Sequence, residues 1–274
     1  TATPAIQTLY LGDYIFTKST PWHHDIIWIL FTSPLTIVIL FIIGFLLQSI
    51  HIFKNFMNVE KKDHKFWYNK KELIDFYIFL AFTLIFFMRL KFGVNYDGWR
   101  QIYFLYPLII ILGLYGLEYL KRIIKNTIII KFLFIIVFLE LIFLSIWNYK
   151  NHPYQFVYFN PIFKSLTKNN FELDYWGISN RSVLEQIFHI NEKNDFKVAT
   201  ISYTSLNDSL RILDPEIREK ISIVYDLNDA DYVIDNHRKK WSSTPGEENL
   251  EKDFSIIYSL IVDGNIINTV YKKN

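Results

Sequence analysis

The sequence predicts a polytopic α-helical membrane domain with four transmembrane helices, followed by a small α/β domain on the exoplasmic side. Three observations support this fold class. Hydrophobic residues make up 51% of the 274 residues, including 25 Phe and 18 Tyr. Residues 1–150 carry four long apolar runs, whereas residues 151–274 alternate short apolar and polar stretches as soluble domains do. Lysine and arginine concentrate in two of the connections between the runs, which is typical of cytoplasmic loops.

The four apolar runs are long enough to cross a bilayer, which takes about 20 residues in a helix. They cover about residues 26–50, 73–90, 102–120 and 128–147 of the predicted membrane domain 1–150. A soluble helical core rarely uses four nearly continuous apolar runs without a polar stripe. We therefore interpret the chain as an integral membrane protein, and we expect it in the bacterial inner membrane. Pro34 and Pro107 fall inside spans and lack a backbone donor, so we expect each to kink its helix.

The basic residues in the short connections predict the orientation of the helices. The first group lies between His51 and Glu72 and consists of Lys54, Lys61, Lys62, Lys65, Lys70 and Lys71. The second group follows the third span and consists of Lys121, Arg122 and Lys125. Both connections should be cytoplasmic. The loop 91–100, residues 1–24 and everything after residue 148 then face the exoplasmic, or periplasmic, side.

Glu140 lies within the fourth span. An ionisable side chain inside a membrane is a functional candidate by default. The structural alternative is an ion pair with Arg89, or contact with water near the interface, and we favour that alternative.

Residues 151–274 predict the small α/β domain. Short β-like runs at 196–202, 221–226 and 230–236 are separated by helical pieces near 206–213 and 215–220, and a helix should begin with Ser179 as its cap. Asp263-Gly264 between two runs rich in β-branched residues predicts a hairpin with a type I′ turn. The basic run 237–241 is most simply a solvated loop, with contact to anionic lipid headgroups as the alternative.

Several function classes find no support in the sequence. The net charge of +2 is too small to indicate a nucleic-acid partner, and the absence of cysteine excludes disulfides, thiolate metal sites and a thiol nucleophile. No glycine-rich phosphate loop, HExxH motif or GxSxG motif occurs. We predict no metal site and no cofactor, while a role for a divalent metal stays open.

A polar cluster, Asn95-Tyr-Asp-Gly-Trp-Arg100, lies directly against the third span. Arg100 can pair with a phosphate, Asp97 can accept a sugar hydroxyl or orient Arg100, and Tyr96 and Trp99 can stack on a sugar ring. The structural alternative is an aromatic belt at the membrane interface, with a turn between Asp97 and Arg100 that stabilises the loop. The pattern alone does not choose between these interpretations.

The segment YDGWRQIYFLYPLIIILGLYGL, residues 96–117, resembles a late transmembrane segment of the GT-C class of integral-membrane glycosyltransferases. This superfamily includes dolichyl-phosphate-mannose protein mannosyltransferases and the lipid A aminoarabinose transferase. The stretches YLGDYIFTKSTPWHHDIIWILFTSPL, HPYQFVYFNPIF, DYWGISNRSVLEQI, ADYVIDNHR and IVDGNIINTVYK resemble other parts of one branch, in the same order. The resemblance therefore extends along nearly the whole chain.

The resemblance implies a polyprenyl-phosphate-linked sugar as donor, a glycan, lipid or protein as acceptor, and transfer at the exoplasmic face beside membrane lipid. It places the main catalytic carboxylate in an early exoplasmic loop that has no counterpart here. Because the chain begins with Thr1, we expect it to be the C-terminal part of a longer enzyme and inactive alone. The implied donor-binding residues are Tyr96, Asp97, Trp99 and Arg100. The implied acceptor-side or structural residues are His152, Tyr154, Asn160, Asp174, Tyr175 and Trp176.

A different class of function stays open beside this one. The chain can be a non-catalytic membrane protein whose C-terminal domain binds a glycan or a partner subunit. A transporter is the weakest alternative, because the four spans offer few inward-facing polar residues.

Overall fold

The computed structural model describes residues 7–57, 67, 69–93, 97–168, 170–191, 194–239 and 244–274. The chain divides into two compact units. The helical unit comprises residues 20–147, and the sheet unit comprises residues 1–19 together with 148–274. The first 19 residues, which we predicted to belong to the membrane domain, therefore group with the C-terminal part of the chain.

The helical unit contains the four long apolar helices that the sequence predicts. A short helix, α1 (His24–Thr32), precedes α2 (Leu35–Phe56), α3 (Lys70–Phe92), α4 (Tyr106–Ile123) and α5 (Thr127–Lys150). A 3-10 helix over Arg100–Leu105 leads into α4. Each of the four long helices, with the 3-10 segment counted as part of the third, is long and apolar enough to span a membrane.

The first predicted span is two helices rather than one kinked helix. Pro34 stands at the N-cap of α2, and the preceding Ser33 is extended, with φ −89° and ψ 150°. A residue before proline avoids the helical region, because the proline ring collides with its backbone. Pro107 does not kink α4 either, since it lies in the first turn, where a missing N–H leaves no hydrogen bond unmade. The irregular backbone near it is at Ile102, with φ −120° and ψ 17°.

Glu140 of α5 caps the N-terminus of α2. Its carboxylate accepts hydrogen bonds from the backbone N–H of Leu35, at 2.8 Å, and of Thr36, at 3.1 Å, and from the Thr36 hydroxyl. These N–H groups have no partner within the helix, and the helix dipole favours a negative charge beside them. The ion pair with Arg89 that we considered for Glu140 is therefore wrong, while its structural role is supported.

Helices α2 and α4 make a backbone-to-backbone contact at glycines. A Cβ atom at Gly44 would lie 1.8 Å from the carbonyl oxygen of Leu112, and one at Gly116 would lie 2.6 Å from that of Leu40. Small residues allow apolar helices to approach this closely, which is a common way of packing helices inside membranes.

The sheet unit is built on a mixed five-stranded sheet. Its strands are β3 (Phe196–Thr200), β4 (Ile221–Ile223), β5 (Tyr232–Asp235), β6 (Phe254–Val262) and β7 (Asn265–Lys273), in the order β4-β3-β5-β7-β6. β3 is parallel to β4 and β5, whereas β7 is antiparallel to β5 and β6. A separate hairpin, β1 (Gln7–Tyr10) and β2 (Asp13–Phe16), is joined to residues 170–172 by two backbone hydrogen bonds.

Both faces of the sheet are covered, because successive strand residues point to opposite sides. One face packs Val198 and Ile234 against α7 (Ile178–Ile190). The other face packs Ala199 and Val233 against Leu250 of a short helix. The remaining short helices are α6 (Lys164–Thr167), α8 (Leu206–Arg211), α9 (Pro215–Glu219) and α10 (Leu250–Asp253).

Two local predictions in this unit have different outcomes. The β6–β7 hairpin turns at Asp263 and Gly264, with φ of 50° and 86°, which agrees with the predicted type I′ turn. The predicted cap of α7 is wrong. Asp174 rather than Ser179 caps this helix, because its carboxylate accepts from the N–H of Ile178, at 2.9 Å, and of Ser179, at 3.0 Å.

Replacing Gly44 by alanine should destabilise the helical unit, because its Cβ would collide with the Leu112 carbonyl and force α2 and α4 apart. We expect a loss of about 1–3 kcal/mol, measured as thermal unfolding of the detergent-solubilised protein by circular dichroism. Gly113→Ala is the matched control. Its Cβ would lie 3.4 Å from the Phe41 nitrogen, so alanine should fit there. Equal stability of the two variants would contradict the proposed contact.

Glu140→Gln should weaken the start of α2, because an uncharged amide loses the interaction with the helix dipole and turns a donor toward N–H groups. The expected cost is about 1–2 kcal/mol in the same unfolding measurement. Ser145→Ala, also in α5, serves as control, since the Ser145 hydroxyl donates only locally to the Leu141 carbonyl. A Glu140→Gln protein as stable as the control would show that the cap contributes little.

Candidate functional site

One end of the helical unit holds a buried ionic cluster. Arg89, in the last turn of α3, donates from Nε to Asp25 Oδ2 at 3.0 Å and from Nη2 to Gln101 Oε1 at 3.3 Å. Asp25 is 1% exposed and lies 3.0 Å from His24 Nδ1 through its other oxygen. We call His24, Asp25, Arg89 and Gln101 the Arg89 cluster. Charged groups in such apolar surroundings are stable only when they are paired, and here the partners come from α1, α3 and the 3-10 helix before α4.

The predicted donor residues lie next to this cluster in the chain. Arg100 Nε is 3.3 Å from Asp97 Oδ2, and the two side chains are 38% and 22% exposed. Asp97 and Gly98 both have positive φ, of 56° and 61°, and a Cβ at Gly98 would lie 3.5 Å from the Trp28 ring. The tight turn thus holds the ion pair near α1 and leaves Arg100 partly open to solvent.

Two other members of the predicted donor set have different outcomes. Trp99 is 5% exposed, and its Nε1 donates to the Thr32 hydroxyl at 2.9 Å. Its ring packs edge-on against Tyr103, with centroids 4.5 Å apart. Little ring surface is therefore left for a sugar, and Trp99 secures the loop against α1. Tyr96 lies outside the described residues.

The opposite end of α3 and α4 carries a second, more exposed ionic group. Lys71 Nζ is 3.2 Å from Glu118 Oε1, and Arg122 Nη2 is 2.7 Å from the same oxygen. These three side chains border a cavity of about 180 Å³ with His51 and Asp75. Since Lys71 and Arg89 are 18 residues apart on one helix, the two ionic groups are separated by roughly 27 Å along its axis.

The first half of the predicted acceptor-side set is mostly structural. His152 Nδ1 is 2.8 Å from the Gln155 amide nitrogen on the surface of the sheet unit. Tyr154 is buried and donates its hydroxyl to Ser182 at 2.7 Å. Asn160 is fully buried, and its backbone carbonyl accepts from the N–H of Phe163 and of Lys164. These residues fix the irregular chain after α5.

The second half of this set, Asp174 to Trp176, is hydrogen-bonded to residues 236–238, a segment that we did not predict to be functional. The Asp174 carbonyl accepts from Asn236 Nδ2, and the Tyr175 carbonyl accepts from Arg238 Nη1, at 2.8 and 2.7 Å. Burial raises the pKa of Asp174, although hydrogen bonds from Ser179 oppose the shift. Trp176 is 59% exposed, so its ring surface stays open beside Tyr175.

Arg238 is buried, which corrects the prediction of a solvated loop at this residue, whereas Lys239 is exposed as predicted. Its side chain is 7% exposed, and Nε lies 3.2 Å from Glu172 Oε1. The guanidinium carbon is 3.6 Å from the centroid of the Tyr175 ring and 4.7 Å from that of Tyr203. Arginine suits such a place, because its flat group stacks on rings while it pairs with a carboxylate. Residues 240 and 241 lie outside the described part of the chain.

His237 is held in an unusual backbone conformation next to Arg238. Its φ is 60°, its N–H donates to Asp235 Oδ1 at 2.8 Å, and its Nδ1 is 3.3 Å from Asp235 Oδ2. Its Nε2 lies 3.2 Å from the Thr269 hydroxyl. Burial opposes ionisation of Asp235, but hydrogen bonds from His237 and Ser202 outweigh it and lower the pKa of Asp235. Asp235, His237 and Thr269 follow the order of acid, base and nucleophile in a catalytic triad. Thr269 is only 4% exposed, so a substrate could not reach its hydroxyl. We therefore conclude that Asp235 and Thr269 orient the His237 ring.

A cavity of about 330 Å³ opens beside this segment within the sheet unit. Its polar lining comes from Tyr14, Glu172, Asn236 and His237, and its apolar lining from Leu9, Phe171, Leu173, Ile266 and Ile267. Among the described residues, no group of three or more His, Asp or Glu side chains is arranged to hold a metal ion.

Sequence signals for the missed residues were weak but present. Asp25 and Arg89 both border apolar runs on one predicted side, which makes a pair between them reasonable, but Glu140 was an equally reasonable partner for Arg89. Glu172 and Arg238 carry no comparable signal, because nothing in the sequence shows that they are buried. Comparison with protein families, with curated proteins and with solved structures finds no match to this chain.

Proposed function

We propose that the chain is the C-terminal portion of a membrane glycosyltransferase that takes a sugar from a polyprenyl-phosphate donor at the exoplasmic face. The proposal rests on the position of two arginines, Arg89 and Arg100, which lie at the same end of the four apolar helices. Each arginine is paired with a carboxylate, Asp25 or Asp97. An apolar surface that ends in paired cations suits a ligand with a long hydrocarbon chain and a phosphate head.

The orientation in the membrane follows from the distribution of charge. Lys71 and Arg122 lie at the end of the helices far from the Arg89 cluster. The basic end of a helical bundle faces the cytoplasm in most membrane proteins, so we assign the Arg89 cluster and Arg100 to the exoplasmic side. The order of motifs along the chain, which resembles the GT-C class, supports the same assignment.

Arg100 is the residue that we propose to contact the donor phosphate. It is more exposed than Arg89, and its partner Asp97 is also partly exposed. A phosphate oxygen can replace the Asp97 carboxylate as acceptor, with charge-assisted hydrogen bonds of similar geometry. During transfer the bond between the sugar and the phosphate breaks, and Arg100 would stabilise the negative charge that develops on the departing lipid phosphate.

Arg89 has a positioning role in this proposal. Its link to Asp25 and Gln101 fixes the residue that follows Arg100, so the backbone of the turn is held where α1 and α3 meet. Its low exposure leaves little room for direct contact with a ligand. The acceptor hydroxyl requires a general base, and we assign that role to no residue of this chain.

Arg100→Gln should weaken binding of a polyprenyl monophosphate, because it removes the charge that faces the phosphate. We expect the dissociation constant of the purified chain in lipid nanodiscs to rise about tenfold, or ~1.4 kcal/mol. Fluorescence quenching or calorimetry with a short-chain polyprenyl phosphate measures this change. Binding rather than turnover is the test, because the proposal assigns the phosphate contact to this chain and the general base to none of its residues.

Arg122→Gln is the matched control, because Arg122, like Arg100, pairs with a carboxylate close to it in sequence but lies at the other end of the helices. It should leave the affinity unchanged. Equal loss in both variants, or equal affinity of the wild-type chain for polyprenyl phosphate and the uncharged polyprenol, would contradict the proposal. The non-catalytic alternative would then be favoured.

A further inference from the structure

The cavity of the sheet unit has the composition of a binding site rather than of a packing defect. Empty cavities inside proteins are lined by apolar side chains. This one, of about 330 Å³, is bordered by four polar side chains as well as by apolar ones. Its volume falls within the range of small-molecule sites, which combine an apolar wall with a few placed polar groups.

Asn236 presents a buried acceptor that the described residues leave unsatisfied. The side chain is 3% exposed, and its Nδ2 donates to the Asp174 carbonyl at 2.8 Å. That bond fixes the orientation of the amide, since only the nitrogen can donate. The Oδ1 atom has no hydrogen-bond partner among the described residues. A buried acceptor without a donor is costly, so it indicates a ligand or water that supplies an O–H or N–H.

The other polar groups at the cavity are already balanced in charge. Glu172 is paired with Arg238, and Asp235 is paired with His237. Tyr14 is half-buried, and burial together with the nearby Asp235 and Glu172 raises its pKa. Its hydroxyl therefore stays protonated at neutral pH and can donate. A ligand with a net charge would disturb these pairs, whereas a neutral ligand with several hydroxyls would not.

We propose that this cavity binds a neutral, polyhydroxylated ligand of the monosaccharide type, with the Asn236 Oδ1 atom accepting from one ligand hydroxyl. The Glu172 carboxylate supplies a second acceptor, and the Tyr14 hydroxyl supplies a donor. Phe171 and Ile266 offer apolar surface to the C–H face of a sugar ring. The proposal is independent of the donor-phosphate role of Arg100, because all of these residues belong to the sheet unit.

The wall of the cavity is held rigid, as a binding site requires. His237 is fixed in the left-handed region by three hydrogen-bonding contacts, to Asp235 twice and to Thr269 once. Histidine adopts this region more readily than most residues, but it still does so at an energetic cost. The same strand end carries Asn236, so the hydrogen bonds that hold His237 also fix the position of the unsatisfied Oδ1 atom.

Saturation-transfer NMR titrations of the purified full chain in detergent test the proposal. The probes are D-glucose, D-galactose, D-mannose and N-acetyl-D-glucosamine, with cyclohexanol as a ring of similar shape and a single hydroxyl. At least one sugar should bind, and cyclohexanol should bind more weakly. Tyr14→Phe, which removes one hydroxyl, and Ile266→Phe, which fills the cavity, should each weaken sugar binding about tenfold.

Ile256→Phe is the matched control, because Ile256 is 62% exposed on β6 and does not line the cavity. It should leave the affinity unchanged. Asn236→Leu also removes the bond to Asp174, so the cavity-filling variant gives the decisive result. The proposal fails if none of the four sugars binds, or if Ile266→Phe binds sugar as the wild type does. Arg100→Gln should keep sugar binding, which separates this test from that of the phosphate site.

Discussion

The ion pair between Asp25 and Arg89 is the interaction on which the arrangement of the helical unit depends. It joins α1 to the end of α3, and through Gln101 it reaches the segment that leads into α4. Both partners are nearly buried, so removing either one would leave a charge in apolar surroundings, which costs far more than the pair contributes. The turn that presents Arg100 is therefore built on a buried pair that does not itself face a ligand.

In the sheet unit, the segment 235–238 is likewise held by partners that are distant in sequence. Each of its polar side chains has a partner from a different part of the chain, such as Glu172 for Arg238 and Asp174 for Asn236. Hydrogen bonds in such a network strengthen one another and define one conformation. Within this segment the Oδ1 atom of Asn236 differs, because it is buried and has no hydrogen-bond partner among the described residues.

Features that depend on neighbours in sequence were predictable, and those that depend on distant partners were not. Apolar runs identified the four long helices, and Asp263-Gly264 identified the hairpin, because periodicity and turn chemistry are local. The partner of Arg89 lies 64 residues away, and the sequence offered Glu140 as an equally reasonable choice. Arg238 looked solvated within a basic run, since nothing local reveals that Tyr175 and Tyr203 cover it. Of the predicted donor set, Asp97 and Arg100 form the expected pair, whereas the burial of Trp99 could only be seen in the fold.

The tip of the β6–β7 hairpin has a practical consequence. A Cβ at Gly264 would meet no atom of the described chain within 4 Å, so the backbone has free space at this position, while the neighbouring Asp263 is paired with Lys164. Exposed turns of this kind accept inserted peptides with little effect on the strands that they join. A short epitope placed between Asp263 and Gly264 would therefore report, in intact cells, which compartment the sheet unit occupies.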